Sequence, residues 1–455
     1  MENTVQVGQR FPLTIKRLDI NGRGIGYYKR KITFVTGALP QEVVVAEVTA
    51  VHDRYLEATT HRIKQASPDR VTPSEPLFGQ IGGVELNHLA YPAQLNFKRD
   101  VVAQSLAKFK PSGWQHYDLR PTIGAAHPLH YRNKAQFPVR LIDGHVRAGL
   151  YAPNSHRLVP LTTFATQRPL TMQVITALCG MLEDLQVPIY DEAHHSGIVK
   201  TLVVRESVAT GEVQVTFVTN SAKLPHHLQL LERIAKELPM VVSVSQNLNP
   251  GTTSLIWGAK TTLLAGQPYI TERLLGRDFA VSPQAFLQLN PEQTEILYQE
   301  ALKALALTPH ATLVDAYAGI GTIGLSLANQ AKTVRGMEII PEAVTAANYN
   351  AKQNGITNAH YEVGTAESLF PQWLAQGFKP DALIVDPPRA GLEPAFIQAL
   401  LKAAPKQFVY ISCNPSTLAR DLVALTKRYQ VDYIQSVDMF PQTARCEAVV
   451  KFTRR

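Results

Sequence analysis

Cysteine is scarce in this chain of 455 residues: there are three, and no Cys-x-x-Cys pair occurs among them. Three thiols cannot build a disulfide framework, which points to a reducing, cytoplasmic setting and leaves each thiol to be judged singly. Long apolar runs are missing too. No stretch approaches the ~20 residues that span a bilayer, so no membrane partner is expected. The first 11 residues have neither the basic nor the apolar part of a secretory leader. With 27 Gly and 30 Pro, neither in excess, the composition excludes a collagen-like or disordered chain, and 45% apolar residues is ordinary for a globular protein. At roughly 150 residues per domain, the length suits about three domains.

Acidic residues are absent from one informative place. None lies between Asp118 and Asp143, where His127, His130, Arg132, Lys134 and Arg140 accumulate. The net charge of +8 is likewise uneven, because residues 281–455 hold 15 Lys/Arg and 15 Asp/Glu, leaving the excess in the first 280. A basic front on a neutral back suits a part that grips a polyanion and feeds another activity, although a merely basic protein has the same arithmetic. Residues 5–60 read as short strands and turns, which suits a small β-barrel. Tyr27 and Tyr28 beside Lys29-Arg30-Lys31 offer faces for single-stranded nucleic acid, or a solvated surface turn. In His130-Tyr131-Arg132-Asn133-Lys134, Arg132 and Lys134 are candidate substrate-binding cations; the alternative is an edge strand with a basic face. Cys179 lies in an apolar helical stretch and reads as core.

From about Ala311, strands expected at 312–315, 333–338, 382–386 and 408–412 alternate with helical stretches that include 341–353 and 394–402. That is the signature of a mostly parallel sheet covered on both faces. Chemistry-bearing residues fall at the strand ends. Asp315 leads into Gly319, Gly321 and Gly324, a G-x-G-x-x-G turn opening a helix, and Glu338 follows 23 residues after Asp315. An acid at both strand ends fits S-adenosylmethionine, which carries a sulfonium and an ammonium and no pyrophosphate. Asp386-Pro387-Pro388-Arg389 stops a strand and projects Asp386 from the carboxyl edge. Arg389, standing where amine methyltransferases place an aromatic, argues against amine methylation. Cys413 follows the next strand at the same edge, as a candidate nucleophile. Glu447 precedes a final strand at 448–452. If that strand runs antiparallel, Glu447 joins the same edge as a candidate general base. Before the sheet, Phe286 is placed to stack on a flipped base and Gln288 to bond cofactor or base edge, or the segment simply packs as a helix start.

These residues resemble the RNA uracil-5-methyltransferase family, specifically its 23S rRNA branch. The similarity runs through Phe286-Leu-Gln288-Leu-Asn290, Asp315-Ala-Tyr317-Ala-Gly-Ile-Gly, Gly336-Met-Glu338, Asp386-Pro-Pro-Arg-Ala-Gly391, Ser412-Cys413-Asn-Pro-Ser-Thr and Asp438-Met-Phe-Pro. The resemblance implies an OB-like TRAM β-barrel over residues 1–65 and an α+β RNA-binding domain over 66–95 and 125–280. It also implies a Rossmann-like methyltransferase domain over 96–124 and 281–455. By matching positions, Gln288, Tyr317, Glu338 and Asp386 bind S-adenosylmethionine, Cys413 is the nucleophile and Glu447 the base. The implied partner is large-subunit ribosomal RNA, with no DNA; tRNA, or a non-catalytic RNA-binding role, are the alternatives. Many relatives hold an iron–sulfur cluster on four cysteines. Here Glu75, Ile81 and Val84 stand at three of those positions and no Cys occurs near 164–166, so no iron–sulfur cluster and no metal is expected. Gln442 and Arg445 replace the histidines that usually precede the base.

Overall fold

The computed structural model describes residues 5–252 and 255–455. Its first sheet has six strands in the order Arg10–Thr14, Val43–Val51, Tyr55–Gln65, Lys31–Thr36, Gly24–Tyr28 and Arg17–Leu18. Alternation along Val43–Val51 turns Val44, Ala46 and Val48 inward onto Phe11, Leu13, Val35 and Leu56. Register shifts between Val43–Val51 and Tyr55–Gln65 bend the sheet. It curls far enough that Phe11, on one outer strand, stacks on Tyr28 with ring centroids 3.6 Å apart. Tyr28 is therefore engaged with the barrel, and Tyr27 alone of the pair is exposed beside the basic turn. That turn has positive φ at both Lys29 and Arg30, the backbone a two-residue hairpin needs, and so presents its cations at the tip.

A seven-stranded sheet follows, ordered Leu158–Pro160, His145–Tyr151, Lys134–Ile142, Val199–Glu206, Val213–Thr219, Val241–Leu248 and Lys260–Gly266. One face packs Phe137, Val139, Leu202, Val204, Val215 and Phe217 under the helices Pro169–Asp184 and His227–Glu237. Cys179 is buried in this core, as expected. Lys134 opens an interior strand of this sheet, which corrects the edge-strand alternative for the basic segment.

The third large sheet has eight strands: Ala359–Val363, Thr333–Glu338, Thr312–Ala316, Ala382–Val385, Gln407–Ser412, Glu447–Arg454, Tyr429–Val437 and Asp118–Leu119. The first five run parallel. Glu447–Arg454 is antiparallel and inserts between Gln407–Ser412 and Tyr429–Val437. Apolar clusters lie on both faces, as the near-continuous Val/Ile/Leu runs of these strands require. The helix Tyr91–Phe109 joins one cluster through Val102 and Leu106, although it precedes the parallel strands by 200 residues. No helix among the described residues is long and apolar enough to cross a membrane.

Candidate active site

Register fixes which side chains meet. Ala316 is opposite Met337 and Val385, Val385 is opposite Tyr410, and Ser412 is opposite Ala448. Asp315, Glu338, Asp386, Cys413 and Glu447 therefore stand along one edge of the sheet, with neighbouring strands about 4.8 Å apart. The antiparallel condition on which Glu447 depended is met. Glu447 is itself the first residue of its strand and only 4% exposed, so it is not the exposed glutamate that a strand start would ordinarily carry.

The electrostatics tie these groups together. The Cys413 thiol is half-buried, and burial followed by the Glu447 and Asp386 carboxylates pushes its pKa up to about 12. Burial and then Asp386 raise the Glu447 carboxyl well above the ordinary range, while Arg389 and Lys98 pull the other way. Glu447 Oε2 is buried without a hydrogen-bond partner. Asp386 is pushed up to about 7 by burial and by Asp315, and Asp315 to about 7 by burial with Glu338 adding to it. Acids held this way form a site short of positive charge.

The glycine turn lies next to them. Gly321, with φ 83°, precedes the helix Thr322–Leu327. A Cβ on Gly324 would fall 2.5 Å from Asp315 Oδ2, which accepts a hydrogen bond from Gly324 N at 2.9 Å. A Cβ on Gly319 would meet nothing within 4 Å, so that backbone borders open space. Glu338 Oε2 accepts from Gly319 N at 3.1 Å and Oε1 from Ile340 N at 3.0 Å. Tyr317, held at φ 64°, donates its hydroxyl to Glu367 at 2.9 Å. Before the sheet, Phe286 is 68% exposed while Gln288 is buried. Arg132 and Lys134 lie beside this loop, because Asn133 N donates to the Leu289 carbonyl at 3.0 Å.

Sequence reading missed the frame that holds Glu447. Lys98, fully buried on the helix Tyr91–Phe109, pairs with Asp438 and donates to the Phe440 carbonyl at 2.9 Å. Tyr91 donates to Asp438 Oδ2 at 3.0 Å. Gln442, where a histidine is usual, accepts from Asn87 and Gln94 at 3.0 Å each and donates to the Pro128 carbonyl. The segment 438–446 is thus bonded to three separate parts of the chain before it reaches Glu447. A lysine on the apolar stripe of Phe97, Val101, Val102 and Leu106 was the signal available for this frame.

At the positions of the cluster cysteines, the Glu75 carboxylate is buried and accepts from Leu77 N and Ala165 N. Ile81, Val84 and Phe164 pack together there in the central core. These residues offer no thiolate and do not fit an iron–sulfur cluster. Among the described residues no group of three or more His, Cys, Asp or Glu is placed to hold a metal.

Comparison with known proteins agrees with this architecture. Residues 90–455 match the family model described as tRNA (uracil-5-)-methyltransferase, and residues 4–60 match the TRAM domain. An RNA methyltransferase of Lactiplantibacillus plantarum is 66% identical over 455 residues, 100% of this chain and 95% of its own length. One from Enterococcus faecalis is 56% identical over 454 residues, covering 100% of both. The crystal structure of Pyrococcus abyssi tRNA (uracil-54, C5)-methyltransferase, in complex with S-adenosyl-L-homocysteine, matches with a TM-score of 0.76 and 26% identity, over 98% of this chain and 100% of that one.

Proposed function

Because this chain belongs to the tRNA (uracil-5-)-methyltransferase family, we propose that it methylates C5 of one or more uridines in 23S ribosomal RNA, using S-adenosylmethionine. The reading is carried by one observation: a half-buried thiol shares a sheet edge and an electrostatic environment with Glu447 and Asp386, next to a glycine turn that borders open space. Residues 1–65, with 66–95 and 125–280, grip the RNA; residues 96–124 and 281–455 carry out the chemistry. The protein works in the cytoplasm, without DNA, membrane or iron–sulfur cluster.

Gln288, Tyr317, Glu338 and Asp386 hold the cofactor. Asp315 and Asp386, both pushed up to about 7, suit a cationic ligand without phosphate. When bound, S-adenosylmethionine supplies an electrophilic methyl group. Uracil C5 is a weak nucleophile until the Cys413 sulfur, its thiol proton given up to solvent, adds to C6 as the thiolate and moves charge onto the C4 carbonyl as an enolate. C5 would then take the methyl group as its bond to the sulfonium sulfur breaks, leaving S-adenosylhomocysteine. Glu447 in its carboxylate form takes the C5 proton as the thiolate leaves and the C5–C6 double bond returns, and surroundings that favour its protonated form then hold that proton. A stacked base cannot reach this edge, so the uridine flips out at a cost of a few kcal/mol. Exposed Phe286 provides a ring for it, with Arg132 and Lys134 at the adjoining loop.

A second substrate has its own support. The Pyrococcus abyssi enzyme that covers the whole chain acts on tRNA, so the shared architecture suits either RNA. Mapping 5-methyluridine in ribosomal RNA and tRNA from cells with and without the gene decides. Loss of the modification from ribosomal RNA supports the reading, loss from tRNA alone replaces the substrate, and no loss in either leaves a non-catalytic RNA-binding protein.

A further inference from the structure

The seven-stranded sheet has an apolar face under its helices and a polar face opposite. On the polar face Lys134 and Arg205 are direct register partners, and Arg205 in turn faces Gln214 on the next strand. Such pairs bring Cβ atoms to about 5 Å. The row abuts the loop that carries Phe286, because Arg205 Nη2 donates to the Ala285 carbonyl at 2.7 Å. Arg205 is only 2% exposed, yet its Nη1 is buried without a hydrogen-bond partner. Gln136 Oε1, two residues further along the strand of Lys134 and on the same face, is also buried and unpartnered. The Lys134 ammonium lies 5.8 Å from the centroid of the Trp257 ring. Neither nearby acid hydrogen-bonds the idle Arg205 donor: Glu206 pairs with Arg168 through Oε1 while its Oε2 is buried and unpartnered, and Glu272, whose charge favours the Arg205 cation, accepts from Val208 N, Ala209 N and the Ser207 hydroxyl. A buried guanidinium with an idle donor is costly unless an anion completes it.

We propose that Lys134 and Arg205 form a phosphate subsite for the nucleotide adjoining the methylated uridine, and that Trp257 is the platform on which that nucleotide's base stacks. The inference rests on the reading of the protein as an RNA methyltransferase. A phosphate oxygen satisfies the idle Arg205 donor and the Lys134 ammonium together, and guanidinium geometry favours such an anion. Burial, then Arg205 and Arg132, hold the Lys134 pKa down to about 7, a cost that a bound phosphate relieves. Aromatic platforms accept a stacked base of any sequence, because every base has a π-face. With Phe286 on one side and Trp257 on the other, two consecutive bases leave their stack, so the substrate offers a single-stranded stretch at the target.

The test uses the full chain and single-stranded hexauridylate, alongside a set of the same oligomers carrying one neutral methylphosphonate at each linkage in turn. Lys134→Gln and Trp257→Leu are each expected to weaken hexauridylate binding by about tenfold, and Lys134→Gln to lower the salt slope by about one. One methylphosphonate position should weaken the parent protein but leave Lys134→Gln indifferent. Affinity for S-adenosylhomocysteine and the unfolding midpoint, measured on the same variants, establish that the fold and cofactor pocket are intact. Intact variants with parental oligomer affinity and salt slope overturn the subsite. If instead the protein makes no 5-methyluridine while oligomer binding still depends on Lys134 and Trp257, the subsite stands and the methyl-transfer reading falls.

Discussion

At Cys413 the same surroundings that gather the proposed reacting groups also restrain the thiol. A thiol pushed up to about 12 is almost wholly protonated at neutral pH. Iodoacetamide labelling of Cys413 should accordingly be slow at pH 7 and rise about tenfold per pH unit. Glu447→Gln removes one of the carboxylates holding the thiol up and should speed labelling at fixed pH; unchanged labelling would separate the two residues. In turnover, Cys413→Ala should cut methyl transfer by at least about a thousandfold. Glu447→Gln should instead accumulate a protein–RNA adduct that survives denaturing electrophoresis. The paired acids give a pH prediction with a definite sign. Asp315 and Asp386, raised to about 7, are mostly protonated at pH 6 and charged at pH 8. S-adenosylmethionine should therefore gain up to about tenfold in affinity over that interval relative to S-adenosylhomocysteine, which lacks the sulfonium. Calorimetry at the two pH values measures the difference. In the free protein the same groups favour folding below about pH 4, and that contribution is lost as pH rises through about 7.

At the scale of elements, what was legible in the sequence followed periodicity and punctuation. The strands 312–316, 333–338, 382–385 and 407–412 announced themselves as short Val/Ile-rich runs ending in Asp, Glu, Asp-Pro-Pro and Cys, and those endings placed the site. Ala359–Val363 was not legible: it is an outer strand in which exposed His360 and half-buried Glu362, paired with Arg335, dilute the apolar pattern. Tyr429–Val437 was hidden behind Lys427-Arg428 directly after a helix, with Gln430, Asp432 and Gln435 interrupting the run. Least visible was the frame around Glu447, because Lys98 and Asp438 lie 340 residues apart and only folding pairs them. Removing one partner of a buried ion pair costs about 3–5 kcal/mol. Lys98→Met should lower stability by that amount in urea unfolding, whereas replacing an exposed lysine such as Lys303 should change it by under about 1 kcal/mol. A Lys98→Met protein as stable as the parent would remove this ion pair from the account of how Glu447 is held.

For the whole molecule, uneven charge was the most readable feature and the least specific. The curled sheet holds a basic hairpin tip, the seven-stranded sheet a polar face with Lys134 and Arg205, and the eight-stranded sheet an edge carrying Asp315, Glu338, Asp386 and Glu447 in a part of the chain, 281–455, with no net charge. If the first two grip one RNA, binding should fall steeply with salt. A contact with about 6–10 phosphates loses about a thousandfold or more in affinity between 50 and 200 mM. Affinity for the proposed cofactor over the same range should change far less, because a small ligand displaces few counterions. Equal salt sensitivity of both would contradict that division of labour.

The apolar filling around Glu75 also bears on the conditions the protein tolerates. A core closed there by Ile81, Val84 and Phe164 needs no iron–sulfur cluster to fill it. Uridine methylation by this chain should consequently persist undiminished in iron-starved or peroxide-stressed cultures, the circumstances in which a relative built around four thiolates would lose its central scaffold.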